Sequence, residues 1–167
     1  MRHPRRLFLA TAAGALLAGC GFQLRQPPSF AFSTIQVVAG PNSLLADELR
    51  RNLGSAGTVR VVQPRSGEPA PDVVLEMLGE QRQKVVVGVN AAGQVREFQL
   101  RSLVRFRLST PRGRELISAT ELTQQRDISF NESAVLAKET EEALLFRDMQ
   151  GDLVQQLMRR LSAVKAL

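Results

Sequence analysis

Apolar and polar positions alternate most regularly between Gln94 and Ser109. Phe98, Leu100, Val104, Phe106 and Leu108 share one side of the pattern. Glu97, Gln99, Arg101, Arg105 and Arg107 share the other, interrupted by Leu103. A period of two predicts a half-buried β-strand. Asn90 to Gly93 and Thr110 to Gly113 bound it as turns, the second with Pro111 pre-setting its φ. A long strand is predicted on each side. Asp72 to Asn90 is continuous or bulged near Gly79; in its second half Val85, Val87 and Val89 share one face, and Arg82 and Lys84 the other. Arg114 to Ser129 is more polar. Three strands joined by short turns predict an antiparallel meander with one apolar face and one wet face.

Before the meander, Phe30 to Ala39 reads as a strand ended by Gly40-Pro41. Asn42 or Ser43 then caps a helix. Its apolar face is Leu45, Leu49 and Leu53, its polar face Asp47, Glu48, Arg50 and Arg51, and Gly54 stands where a helix C-terminus favours glycine. Thr58 to Gln63 reads as a strand, and Pro64 to Pro71 as a loop. After the meander, Asn131 is an N-cap for a helix whose stripe is Leu145, Met149, Leu153, Leu157 and Leu161. Gly151 lies inside it at a cost of about 1 kcal/mol against alanine. Arg159, Arg160 and Lys165 suit the negative end of its dipole. The expected fold is α+β: a two-layer sandwich with two helices on one face of a four- to five-stranded, mainly antiparallel sheet, formed by residues 30–167 as one domain.

Residues 1–19 follow a different logic. Arg2, Arg5 and Arg6 precede an apolar run from Leu7 to Leu17, too short to span a bilayer as a helix. Leu17-Ala18-Gly19-Cys20 then places the sequence's one cysteine after two small residues, and it resembles the lipobox of a bacterial lipoprotein. That resemblance implies cleavage before Cys20 and lipidation of Cys20 through an N-acyl and an S-diacylglycerol group. Residues 20–29, with Pro27-Pro28, read as the lipidated tether. Arg5-Arg6 also resembles a twin-arginine export signal, and an ordinary secretory signal accommodates the same pair.

Composition narrows the chemistry. The 22 basic residues, less the three arginines of the signal, face 16 acidic ones, so the formal charge falls from +6 to +3. The sole histidine is His3, and the chain has no Tyr and no Trp. After Cys20 this removes the usual general base, the usual metal ligands and the Ser-His-Asp arrangement. Gly54-Ser55-Ala56-Gly57 is not the nucleophile elbow of a hydrolase. No enzymatic activity, metal or cofactor beyond the Cys20 lipid is expected. Modest charge and stacking aromatics restricted to Phe argue against nucleic acid.

Cys20-Gly21-Phe22-Gln23-Leu24-Arg25 resembles the mature N-terminus of the LptE family of lipopolysaccharide-assembly lipoproteins. Glu97-Phe98-Gln99-Leu100 after its turn, Arg126 to Phe130 followed by Val135-Leu136-Ala137-Lys138 and Glu141-Glu142, and Met149, Asp152, Leu153-Val154, Leu157 and Arg159-Arg160-Leu161 are similar in order and spacing. The resemblance implies an outer-membrane lipoprotein, anchored in the inner leaflet on the periplasmic side. It would stand within the lumen of an LptD β-barrel, plug it, aid its assembly and bind lipopolysaccharide for insertion into the outer leaflet. Lys138 is the basic residue carried over from the family's Leu-Ala-Lys block. The family's turn arginine has no counterpart in Asn90 to Gly93, and Arg96 is the nearest. Arg101, Arg105 and Arg107, at period two on one strand face, are further ligand candidates because guanidinium groups pair with phosphates. A free-standing periplasmic binding or inhibitor lipoprotein is the alternative; a lipid-anchored hydrolase would need a convergent site that no spacing supplies.

Overall fold

The computed structural model describes residues 28–63 and 69–167. The signal, Cys20 and most of the tether lie outside them. The sheet has five strands: β1 Thr34–Val38, β2 Arg60–Val61, β3 Val73–Val89, β4 Val95–Ser109 and β5 Glu115–Ser129. The helices are α1 Leu44–Ser55 and α2 Val135–Ser162, the latter entered through a 3-10 turn at Glu132–Ala134. Strand order is β2-β1-β3-β4-β5. β3, β4 and β5 form the expected antiparallel meander. β1 runs parallel to both β2 and β3, so the sheet is mixed. The α+β fold with both helices on one side is as the sequence implied.

Local chemistry explains the element ends. The Ser43 side chain accepts the Ala46 amide at 2.9 Å, an N-cap, and frees the α1 start from one unsatisfied donor. Gly54 is not the terminal glycine; it is helical, and Gly57, at φ 72°, takes the left-handed conformation after α1. The Asn131 side chain accepts the Ser133 amide and begins the final helical segment. The strand expected over 30–39 is pared to Thr34–Val38, since β1 finds partners only at Arg60–Val61 and Val73–Glu76. Phe30 and Phe32 still pack together, 5.3 Å apart, and Phe32 is buried.

The main core lies between α1, the second half of α2 and the sheet. Ile35, Leu49, Leu53, Leu75, Phe106, Leu108, Leu153, Leu157 and Leu161 are fully buried in it. A smaller cluster of Leu100, Ile128 and Met149, flanked by Phe98, Leu145 and Phe146, lies under the first half of α2. The difference follows from helix length: α1 has 12 residues and α2 has 28, about 18 and 42 Å. α2 therefore extends well beyond the end of α1 and roofs the far part of the sheet alone.

Candidate functional site

A register shift between Met77 and Gly79 sets the chemistry of the far part of the sheet. Before it, Val73 and Leu75 face the helices and are buried. One extra residue inverts the alternation. Beyond it Glu80, Arg82, Lys84 and Val86 stand opposite Val104, Ser102, Leu100 and Phe98, on the helix side. Arg82 and Lys84 are thus under α2 rather than on the wet face, and Val85 is on the open face. The sequence did carry a signal: Gly79 at a bulge, followed by charges where the parity of Val73 and Leu75 shifts by one.

The inversion builds a polar band across the helix face. Arg82, Ser102 and Gln124 are aligned on three adjacent strands. Arg82 donates to the Gln150 side-chain oxygen at 2.7 Å, and Gln150 donates to Glu48 of α1 at 2.6 Å. Gln150 and Ser102 are buried. On the β5 side Arg126 donates to Asp152 at 2.6 Å. Ser43 donates to Glu80 at the other margin. Buried polar groups are tolerated when paired in this way. The band separates the main core from the small cluster and divides the molecule into a base and an arm.

The arm gathers several cationic groups. Lys84 pairs with Glu142 at 2.6 Å and lies 4.3 Å from the centre of the Phe98 ring, a cation–π contact. Arg82 lies 5.5 Å above Phe146. Lys138, on the first turns of α2, donates to Ser129 Oγ at 3.0 Å and to Glu141 at 2.8 Å. Arg96 is exposed; its carbonyl accepts the Phe130 amide at 2.7 Å, so it lies at the same end as Ser129 and Lys138. Phe98 and Phe130 meet edge to face at 5.2 Å beneath this end. Exposed apolar residues border it: Leu136 at 80%, Val89 at 60% and Leu144 at 55% exposure.

The arginine row is elsewhere. Arg101, Arg105 and Arg107 are exposed on the open face of β4, on the side of the sheet away from α2 and Lys138. They alternate with other chemistry. Arg101 donates to Gln99 at 2.7 Å, and Gln99 donates to Asp127 at 3.0 Å. Arg105 stands between Glu121 and Gly79. Arg107 is paired with Glu76, whose carboxyl it holds below the usual carboxylate range, first through the hydrogen bond and then by charge. The structure therefore brings Arg96 and Lys138 to one end and leaves the three arginines apart. Lys84 joins that end, a residue that the sequence pattern placed only on one strand face with Arg82.

Among the described residues no three His, Cys, Asp or Glu side chains are placed to hold a metal ion. No helix among them is long and apolar enough to cross a membrane.

The two-layer α+β body is that of a class of small bacterial lipoproteins. The solution structure of the uncharacterized lipoprotein B of Nitrosomonas europaea superposes with a TM-score of 0.73 at 30% identity, covering 86% of this chain and 91% of that one. The rare lipoprotein B of Shewanella oneidensis shares the fold, with a TM-score of 0.66 at 18% identity over 78% of this chain and 95% of that one. The profile of the LptE lipopolysaccharide-assembly family matches residues 32–161, and the chain belongs to that family. It is similar to the LPS-assembly lipoprotein LptE of Yersinia enterocolitica, 29% identical over 170 residues, covering 99% of this chain and 79% of that protein. The LptE of Pectobacterium atrosepticum is 28% identical over 169 residues, covering 98% and 88%. The family is one of lipopolysaccharide-assembly lipoproteins associated with the outer membrane, rather than of enzymes.

Proposed function

We propose that this protein is the lipid-anchored subunit of a lipopolysaccharide translocon at the outer membrane. Cys20 carries the lipid, an LptD-like β-barrel is the partner, and the body stands in the barrel lumen as a plug and assembly aid. Lipopolysaccharide binds at the tip of the arm. Family membership over residues 32–161 supports the assembly role. The tip supplies the chemistry for the ligand: Lys138, Lys84 and Arg96 beside exposed Leu136 and Val89, cations next to apolar surface, as an amphiphile with phosphates and acyl chains requires. Arg101, Arg105 and Arg107 are the second candidate surface, for phosphates or for an acidic barrel lining.

Two measurements test this. The lipidated chain, isolated from detergent-solubilised outer membranes, should come out with a barrel protein; recovery alone would favour the free-standing binding lipoprotein. Lys138→Gln should weaken lipopolysaccharide binding by the purified protein and reduce its salt dependence, with stability lowered by no more than about 1 kcal/mol for a half-buried surface pair. The triple neutral variant at Arg101, Arg105 and Arg107 should have the smaller effect. Equal affinity in wild type and both variants would take these residues out of the ligand site.

A further inference from the structure

β3 is paired on both sides only at its beginning. β1 covers Val73 to Glu76 and ends at Val38, after which the chain enters α1, whose cap Ser43 donates to the Glu80 side chain. From Gly79 to Val86 the strand keeps an uninterrupted register with β4 on one side, bounded by the irregularities at Met77/Gly79 and Val86/Gly88. Among the described residues nothing pairs with its other side. Every residue from Leu78 to Val87 is exposed, whereas β4 alternates between buried and exposed. In an antiparallel ladder every second residue directs its amide and carbonyl away from its neighbour, so this edge presents a regular row of free backbone donors and acceptors.

Edge strands are usually blunted by lysine, proline or inward charge. Here the two basic side chains of the segment are drawn under α2: Arg82 onto Gln150 and Phe146, Lys84 onto Glu142 and Phe98. They leave the backbone row uncovered. On the open face the segment shows Gln81, Gln83 and Val85.

We propose that this edge is a strand-addition site for an extended segment of a second protein, laid antiparallel to β3 and carrying an acidic side chain opposite Arg82. Main-chain hydrogen bonds supply the affinity of such sites, and alternate side chains supply the specificity. A second copy of this chain is a poor occupant. Of the antiparallel two-fold pairings that keep the helix faces together, those that set Arg82 against Glu80 or Val86 of the other copy hold only five residues of the free segment in register, and the longer ones set Arg82 against Arg82 or Lys84, where like charges directly opposite are unfavourable. Lys84 already has Glu142, whereas Arg82 pairs with the neutral amide of Gln150. A carboxylate on the incoming strand completes Arg82, and an apolar residue three positions before it falls beside Val85. This inference does not depend on where lipopolysaccharide binds.

The test places a photo-crosslinking residue at Gln81, Gln83 or Val85 of the full lipidated chain in intact outer membranes, and maps each adduct to the captured residue. Strand addition predicts capture on one segment of one other protein. The captured position steps back by two as the probe steps forward by two, with an Asp or Glu between the residues caught from positions 81 and 83. Arg82→Glu should lower the adduct yield about fivefold, the scale of one opposed charge pair. Val85→Lys, at an exposed position that leaves the core untouched, should lower it as well, with an unchanged melt. Adducts to a second copy of this chain, adducts to residues 20–27 of the same chain, scattered adducts without the two-residue step, or no adducts would each overturn the proposal. An undiminished yield in both variants would do so too.

Discussion

Phe106 and Leu100 lie on the same face of the same strand, both fully buried, yet they belong to differently built regions. Phe106 borders the part of the sheet that β1 and β2 widen to five strands and that carries two helices. At Leu100 the sheet is three strands wide and carries one. The base therefore has enough apolar surface to fold as a core, while the arm is held by a small cluster, a polar band and paired charges. A few buried residues under one helix confer little local stability, and segments of that kind open more readily than the whole molecule. The base supports; the arm, with its cationic tip and free edge, makes contacts.

The comparison breaks most sharply through a pair of substitutions. Phe106→Ala should cost about 3–5 kcal/mol, the range for truncating a buried aromatic, against about 5–15 kcal/mol of stability in a typical domain. Leu100→Ala should cost about 2–3 kcal/mol, toward the lower end for a buried leucine, and its effect should be local. Hydrogen exchange separates them: Phe106→Ala raises exchange everywhere, and Leu100→Ala raises it chiefly in residues 82–101 and 124–148. Uniform exchange in both would show that base and arm are one cooperative unit.

A smaller effect is expected from acid, acting in the base. Asp72 accepts the Ser33 amide at 2.8 Å and the Thr34 amide at 2.9 Å, while its own amide donates to Thr34 Oγ1. Its carboxyl is held below the usual range, first by the Ser33 hydrogen bond, with partial desolvation opposing and Thr34 adding to the lowering. A depressed folded-state pKa contributes stability that is present above the unfolded value of about 4 and lost as pH falls through the folded one. Glu76, lowered by Arg107, acts with the same sign. Asp72→Asn should reduce stability at neutral pH by roughly 1–2 kcal/mol and flatten the acid limb of a melting-temperature profile. An acid limb unchanged from wild type would move that dependence to other carboxylates.

The smallest effect is a gain. A Cβ at Gly151 would meet only Glu48 Oε1, at an ordinary 3.7 Å. Gly151→Ala should stabilise α2 at the polar band by about 0.5–1 kcal/mol, read as a rise in the denaturation midpoint. A loss would mean that the Glu48–Gln150 pairing needs the space.

The base was largely legible in the sequence because its signals are local. Val104 to Leu108 alternates without a break, Ser43 is a capping residue at the right place, and the leucine stripe of α2 needs no partner to be recognised. The arm was less so. A single inserted residue near Gly79 exchanges the two faces of everything after it, and no property of Arg82 or Lys84 alone reveals which side they take. The parallel docking of β1 was equally hidden, since the strand's pattern is the same whichever way its neighbour runs. Lys138 and Arg96 were found one at a time; their shared location depends on Phe130 bonding to Arg96, a contact between distant segments. The arginine row was visible as a row, but not its interleaving with Glu121, Asp127 and Glu76.

The parallel seat of β1 has a consequence for how the chain folds. Each hairpin of the meander closes through a short turn, so its contacts form between near neighbours in sequence. β1 has no such route: Ile35 pairs with Val73 and Gln36 with Val74, across the whole of α1 and the loop after β2. Closing that long a loop is slow relative to hairpin formation. A chain made from its N-terminus presents Ile35 and Val37 long before their partner strand exists, and the α2 leucines that cover them come last of all. The base, the most stable part of the finished molecule, is thus the part whose assembly waits longest, and during that wait its apolar strand depends on whatever else shields it from other chains.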